Sequence, residues 1–140
     1  MTARTAGPVV LVSLGSAPPG EALLAGVQRL RTAGVPVHLI SRVPPAPALA
    51  VLLTSRVAVG RPGGRELRAG KLELDPHRLP GAIGLLLRPR TRRLLTGATG
   101  LVAVDAAALP AVWLAARRNR HAIAVNGLVA ALPLLTTNPT

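Results

Sequence analysis

One carboxylate, Asp105, stands where α/β proteins build binding sites. It follows a short apolar run, Leu101, Val102 and Val104, which predicts a buried strand, and a helical pattern begins just after it. Open α/β sheets bind ligands at the carboxyl ends of their strands, so Asp105 is a candidate ligand-binding residue. An equally supported alternative is that Asp105 caps its own helix by accepting N–H bonds from the first turn.

Two further loops follow predicted strands and carry candidate ligand contacts. Gly15, Ser16 and Gly20 lie in the first loop, directly before a predicted helix whose N-terminal N–H groups favour an anion. Asn126 and Gly127 follow the last predicted strand. The alternative interpretation of the first loop is a tight turn, and that of the second is a turn with a glycine at positive φ.

Arginine dominates the charge of the chain, which has 17 basic and 5 acidic residues and a net charge of +12. The positive electrostatic field of such a chain attracts polyanions, and the planar guanidinium group of arginine matches the geometry of phosphate. The alternative is that these arginines are solvated helix faces. Without aromatic stacking residues they would make a poor surface for single-stranded nucleic acid. The candidate anion-binding residues are Arg88, Arg90, Arg92, Arg93, Arg117, Arg118 and Arg120.

The residue inventory argues against most catalytic sites. The chain has no cysteine, and none of its three histidines has a second ligand at helical spacing, so a zinc site is not expected. The loop VSLGSAPPG is neither a serine-hydrolase elbow nor a Walker loop. We therefore predict no catalytic residue, no metal and no cofactor.

The elements that position these residues predict an α/β fold. Residues 9–14 form a continuous apolar run typical of a central parallel strand. A helix begins at Glu21, with Leu23, Leu24, Val27 and Leu30 on one face, and ends at Gly34. A β-branched strand follows at residues 35–43. We predict a single Rossmann-like domain spanning residues 1–140, with a mostly parallel sheet flanked by helices and a small hairpin insertion.

The second half of the chain continues this alternation. Residues 49–59 carry both strand and helix signals, and the alternation within residues 66–74 is typical of a hairpin. A helix interrupted by Pro89 is predicted over residues 79–96, a strand over 122–125 and a helix over 128–135. The helix after Asp105 repeats apolar residues at Leu109, Val112, Trp113 and Ala116, which predicts that these four are buried.

Two segments resemble the N-terminal domain of GT-B-fold glycosyltransferases. They are VVLVSLGSAPPGEALLAGVQRLRTAGVPVHLISR and LVAVDAAALPAVWLAARRNRHAIAVNG. That family often has a histidine two residues before the aspartate, where this chain has Ala103. It also has a His-Glu pair after the next strand, where this chain has Asn126, Gly127 and Leu128. The donor-binding C-terminal domain of the fold has no counterpart.

The resemblance implies an acceptor-side half-domain that is not catalytic alone and acts with a partner subunit or as a binding or scaffold module. The alternative hypothesis is a basic, non-enzymatic α/β module that binds nucleic acid or a phosphate ligand, or that forms a homo-oligomer. Composition rich in Ala, Arg, Gly and Pro indicates a GC-rich bacterial gene. No run is long and apolar enough to span a bilayer, so we expect a soluble cytoplasmic protein.

Overall fold

The computed structural model describes residues 7–15, 21–59 and 88–128. These residues form five parallel strands and four α-helices that alternate along the chain. The elements are β1 Val9–Ser13, α1 Glu21–Thr32, β2 Val37–Ser41, α2 Pro47–Ala50, β3 Ser55–Ala58, α3 Pro89–Gly97, β4 Gly100–Ala103, α4 Leu109–Arg118 and β5 Ile123–Asn126. The predicted Rossmann-like α/β class is confirmed.

The sheet has the strand order β3-β2-β1-β4-β5, with β1 at its centre as predicted. Val9 pairs with Val37 of β2 on one side and with Gly100 of β4 on the other. Every residue of β1 and of β4 is buried. A strand covered on both faces has no side that faces water, so its residues need not alternate between apolar and polar. This explains the uninterrupted apolar sequence of β1.

Helices cover both faces of the sheet and create two apolar clusters. Alternate residues of β1 point to opposite faces. Val9 and Leu11 pack with α1 and α2, whereas Val10 and Val12 pack with α3 and α4. The predicted inner face of α1 is confirmed, since Leu23, Val27 and Leu30 are buried.

Glycine and proline set the helix boundaries that the sequence indicated. Gly34 has φ of 82° beyond the end of α1, and the N–H of Val35 returns to the carbonyl of Leu30. Pro47 and Pro89 begin α2 and α3, where a missing N–H costs nothing. Residues 49–59, whose sequence carries both strand and helix signals, contain the end of the short helix α2 and then the strand β3.

The prediction that Trp113 and Leu109 are buried is wrong. Trp113 is 56% exposed and Leu109 is 38% exposed. The buried face of α4 instead consists of Ala111, Val112 and Ala115. This face is turned by about one residue, or roughly 100°, from the predicted one, and its alanines let α4 lie close to the sheet.

Several predicted elements fall outside the described residues. They are the hairpin at 66–74, the first part of the helix at 79–96 and all but the first residue of the helix at 128–135. Within the described part, α3 starts at Pro89, the residue at which an interruption of the helix was predicted. No helix among the described residues is long and apolar enough to cross a membrane.

Candidate functional site

The carboxyl ends of β1 and β4 meet at the point where the strand order reverses direction. The helix after β1 packs on one face of the sheet, and the helix after β4 packs on the other. In open α/β sheets this switch point opens a crevice that binds ligands. Gly15 lies two residues beyond β1, and Asp105 lies two residues beyond β4.

The Asp105 carboxylate links these two strand ends. Its Oδ2 accepts hydrogen bonds from Ser13 Oγ at 2.9 Å and from the N–H of Gly15 at 3.0 Å. Its Oδ1 accepts from the N–H of Leu14 at 3.2 Å and from the N–H of Ala108 at 3.1 Å. The four acceptor positions of a carboxylate are therefore used within the protein. Asp105 thus caps the 3₁₀ turn Ala106–Ala108 directly before α4, whereas α4 itself begins without a side-chain cap. Ligand binding by Asp105 stays a prediction.

Gly15 approaches this carboxylate too closely for any other residue type to fit freely. A Cβ atom at position 15 would stand 3.0 Å from Asp105 Oδ2 and 3.3 Å from its Cγ. Asp105 has little freedom to withdraw, because its four hydrogen bonds hold it in place. We predicted that Gly15 lets a ligand approach closely. In the structure, its lack of a side chain lets the Asp105 carboxylate approach closely.

The other predicted loop residues are only partly placed by the structure. Asn126 ends β5 opposite Ala103 of β4, and its side chain is exposed. Gly127 has φ of 97° and donates its N–H to the carbonyl of Ala103 at 2.9 Å, which confirms the predicted turn. Ser16 and Gly20 lie outside the described residues. Ligand contact at these four positions stays a prediction.

Arg42 is a charged residue at this edge that the sequence analysis missed. It directly follows β2, and its Nη1 donates to the carbonyl of Leu14 at 3.2 Å. Its Nε is buried and has no hydrogen-bond partner among the residues that the structure describes. The signal available in the sequence was an arginine immediately after a β-branched strand. Arg42 brings a positive charge next to the loop that follows β1.

The seven predicted anion-binding arginines lie on or next to α3 and α4, and all seven are exposed. We call this set, Arg88, Arg90, Arg92, Arg93, Arg117, Arg118 and Arg120, the arginine surface. The two helices pack on the same face of the sheet. Neither helix contains an acidic residue. Exposure fits both the anion-binding hypothesis and its alternative of solvated helix faces, so anion binding by these arginines stays a prediction.

Asn119 fixes the two helices of this surface to each other. It is 5% exposed, and its Nδ2 donates to the carbonyls of Leu95 at 3.0 Å and Ala98 at 2.8 Å, at the end of α3. Its Oδ1 accepts the N–H of His121. Since Asn119 itself caps α4, the carboxyl ends of α3 and α4 lie together.

An exposed tryptophan belongs to the same surface. The Arg117 guanidinium carbon lies 4.9 Å from the centre of the Trp113 ring, within the range of a cation–π contact. The sequence analysis assigned Trp113 to the core and so counted no aromatic ring among the arginines. The structure removes that objection to nucleic-acid binding.

Comparison with protein-family models, curated proteins and solved structures finds no match to this chain. The described residues also contain no group of three or more His, Asp or Glu side chains placed to hold a metal ion.

Proposed function

We propose that this protein is a non-catalytic α/β module that binds a polyanion through its arginine surface. The observation that carries the proposal is the presence of seven exposed arginines on or next to two adjacent helices that contain no acidic residue. Four of them lie within residues 88–93 and three within residues 117–120, and like charges so near in the chain repel one another unless a counter-charge is supplied from outside. An extended polyanion supplies it to many arginines at once and releases bound counterions.

The hydrogen bonds of Asp105 support a binding rather than a catalytic function. A general base needs a free lone pair within reach of the substrate proton, and the acceptor positions of Asp105 are used within the protein. Its contacts make it a structural link between two loops.

A second pair of groups resembles part of a serine nucleophile system but lacks its surroundings. His38 Nδ1 lies 2.7 Å from Ser55 Oγ, near the amino ends of the neighbouring strands β2 and β3. A catalytic serine needs a base that is itself oriented by a third group. Asp105, the one carboxylate whose side chain the structure describes, lies at the opposite, carboxyl edge of the sheet. We therefore assign this pair to the packing of β2 on β3.

The proposal is tested by measuring binding of the full chain to a labelled oligonucleotide of mixed sequence over a series of salt concentrations. We expect binding that weakens steeply with salt. The double variant R90Q/R93Q should bind more weakly and show a salt slope smaller by about 1.4, since each lost contact to a single strand contributes about 0.7.

A matched control removes the same charge from the other face of the sheet. Arg29 and Arg31 lie in the last turn of α1 and are exposed. The variant R29Q/R31Q should keep the affinity and slope of the unchanged protein to a greater extent than R90Q/R93Q. Absence of binding at low salt, or equal losses in the two variants, would overturn the proposal.

The glycosyltransferase-like half-domain is the second candidate function. It is favoured by the topological switch point between β1 and β4 and by the buried Nε of Arg42, which has no hydrogen-bond partner among the described residues. In this version the protein supplies an acceptor-side surface to a donor-binding partner subunit. Co-purification with a chain that binds a sugar nucleotide, with glycosyl transfer only in the mixture, would support it. Transfer by the donor-binding chain alone at the same rate would count against it.

A further inference from the structure

We infer that the arginine surface binds single-stranded nucleic acid, with one base stacked on Trp113. This inference rests on the proposed polyanion binding and adds the class of polymer and the residue that selects it. Arginine contacts to phosphate do not distinguish one polyanion from another, whereas an aromatic ring distinguishes a polymer with unpaired bases.

The first observation is the exposure of Trp113. It is the single tryptophan of a chain that contains no tyrosine or phenylalanine. Its side chain is 56% exposed, although the helix that carries it buries smaller alanines. The Arg117 guanidinium covers part of the ring and leaves more than half of the side chain open to a ligand.

The second observation is the position of Trp113 relative to the other arginines. Asn119 joins the carboxyl ends of α3 and α4, and both helices pack on one face of the sheet, so the two run side by side. Counted from the joined ends, Gly97 and Arg118, at a rise of about 1.5 Å per residue, Arg92 of α3 and Trp113 of α4 stand at similar heights. Arg117 lies about one turn nearer to the joined ends than Trp113 does. Arginines of both helices are therefore present at or near the height of the Trp113 ring.

The same residues are less suited to a lipid surface. A helix that lies in a membrane interface buries a broad apolar face. On α4 the exposed large apolar side chains are Leu109 and Trp113, and α3 has none among its described residues. Two apolar side chains among seven exposed arginines favour a polymer that offers both phosphates and flat rings. Duplex DNA keeps its base faces stacked internally, so the ring selects a single strand.

The chain provides its own probe for the test, because all tryptophan emission comes from Trp113. The full-length protein is titrated with a single-stranded oligonucleotide about 12 nucleotides long, within the range of known binding sites. Parallel titrations use an abasic oligonucleotide of equal length, the matching duplex, heparin and anionic phospholipid vesicles. We expect quenching of the emission and the tightest binding with the base-bearing single strand.

The variant W113L separates stacking from charge, and since it has no tryptophan, its binding and that of the unchanged protein are compared by the fluorescence anisotropy of labelled oligonucleotides. We expect it to lose affinity for the base-bearing strand by about 5- to 100-fold, the scale of one stacked base, while its affinity for the abasic strand is unchanged. Retention of the melting temperature would show that the variant is folded, as expected for an exposed side chain.

The outcomes distinguish the inference from the function on which it rests. If no polyanion binds at low salt, the proposed function and the inference both fail. If heparin and the abasic strand bind as tightly as the base-bearing strand, and W113L changes neither, polyanion binding stands and the base-stacking inference is overturned. A blue shift of the emission with vesicles, without preference for the oligonucleotide, would also overturn it in favour of a membrane surface.

Discussion

The Asp105 carboxylate accepts four hydrogen bonds, three from the end of β1 and one from the turn before α4. Asp105→Asn would replace one oxygen by an NH₂ group, which cannot accept from the N–H of Gly15. We expect the free energy of unfolding to fall by about 2 kcal/mol, the scale of lost hydrogen bonds to a charged group. Urea denaturation measures this.

The variant S13A provides a graded comparison for the same site. It removes one of the four donors and leaves the carboxylate in place, so we expect a loss of about 1 kcal/mol. A loss near zero in Asp105→Asn would show that the four contacts contribute no net stability. Asp105 would then serve another purpose, such as binding a ligand.

Burial lowers the pKa of His38 below its ordinary value of 6.5, because removal from water disfavours the imidazolium form. Between the lowered pKa and 6.5 the unfolded chain binds more protons than the folded one. The contribution of His38 to stability is therefore complete above pH 6.5 and is lost as the pH falls below it.

His38→Gln removes this titration from the folded protein. We expect the free energy of unfolding to fall less steeply between pH 7 and pH 5 in H38Q than in the unchanged protein. Urea denaturation across this range compares the two slopes. Parallel slopes would mean that protonation of His38 is not linked to folding.

At the level of elements, Asn119 joins α3 to α4 by hydrogen bonds from a nearly buried side chain. Asn119→Ala would leave the carbonyls of Leu95 and Ala98 without these donors. We expect a loss of about 2 to 3 kcal/mol in the free energy of unfolding, since buried polar groups would lose their partners. Thermal or urea unfolding measures it.

Asn119→Ala should also weaken oligonucleotide binding, because it loosens the relative placement of the helices that carry the arginine surface. Measurements at a temperature well below unfolding separate this effect from loss of the fold. An unchanged affinity in a destabilised but folded variant would show that binding does not depend on how the two helices are fixed.

The strands were predictable because burial on both faces requires continuous apolar residues, as in β1 and β4. The inner face of α4 was not, because the helix is apolar on more than one side. Two overlapping sets, one with Leu109 and Trp113 and the other with Ala111 and Ala115, fit the same 3.6-residue period. Only close packing against the sheet decides between them, and it selects the smaller side chains.

The site was predictable in position but not in detail. A carboxylate after an apolar strand and a glycine after the first strand placed Asp105 and Gly15 at one sheet edge. Their direct contact depends on the pairing of β1 with β4, residues that are far apart in the chain. No local pattern encodes such a pairing, and the same holds for the contact of Arg42 with Leu14.

At the level of the whole molecule, the described residues include eleven arginines but only two carboxylates, Glu21 and Asp105, and the full chain has a net charge of +12. Self-repulsion of this kind destabilises the compact state, and salt screens it. We therefore expect the free energy of unfolding to rise by on the order of 1 kcal/mol between about 10 mM and about 300 mM NaCl. Thermal unfolding at several salt concentrations measures the change.

The same salt that strengthens folding should weaken binding to an oligonucleotide, because both processes depend on the arginine charge but in opposite senses. Loss of binding at high salt then cannot be attributed to unfolding. Removing Arg90 and Arg93 should reduce both salt effects together. If salt instead lowered stability, attractive charge pairs would outweigh the repulsion, and the excess of arginine would lose its force as an argument for a polyanionic ligand.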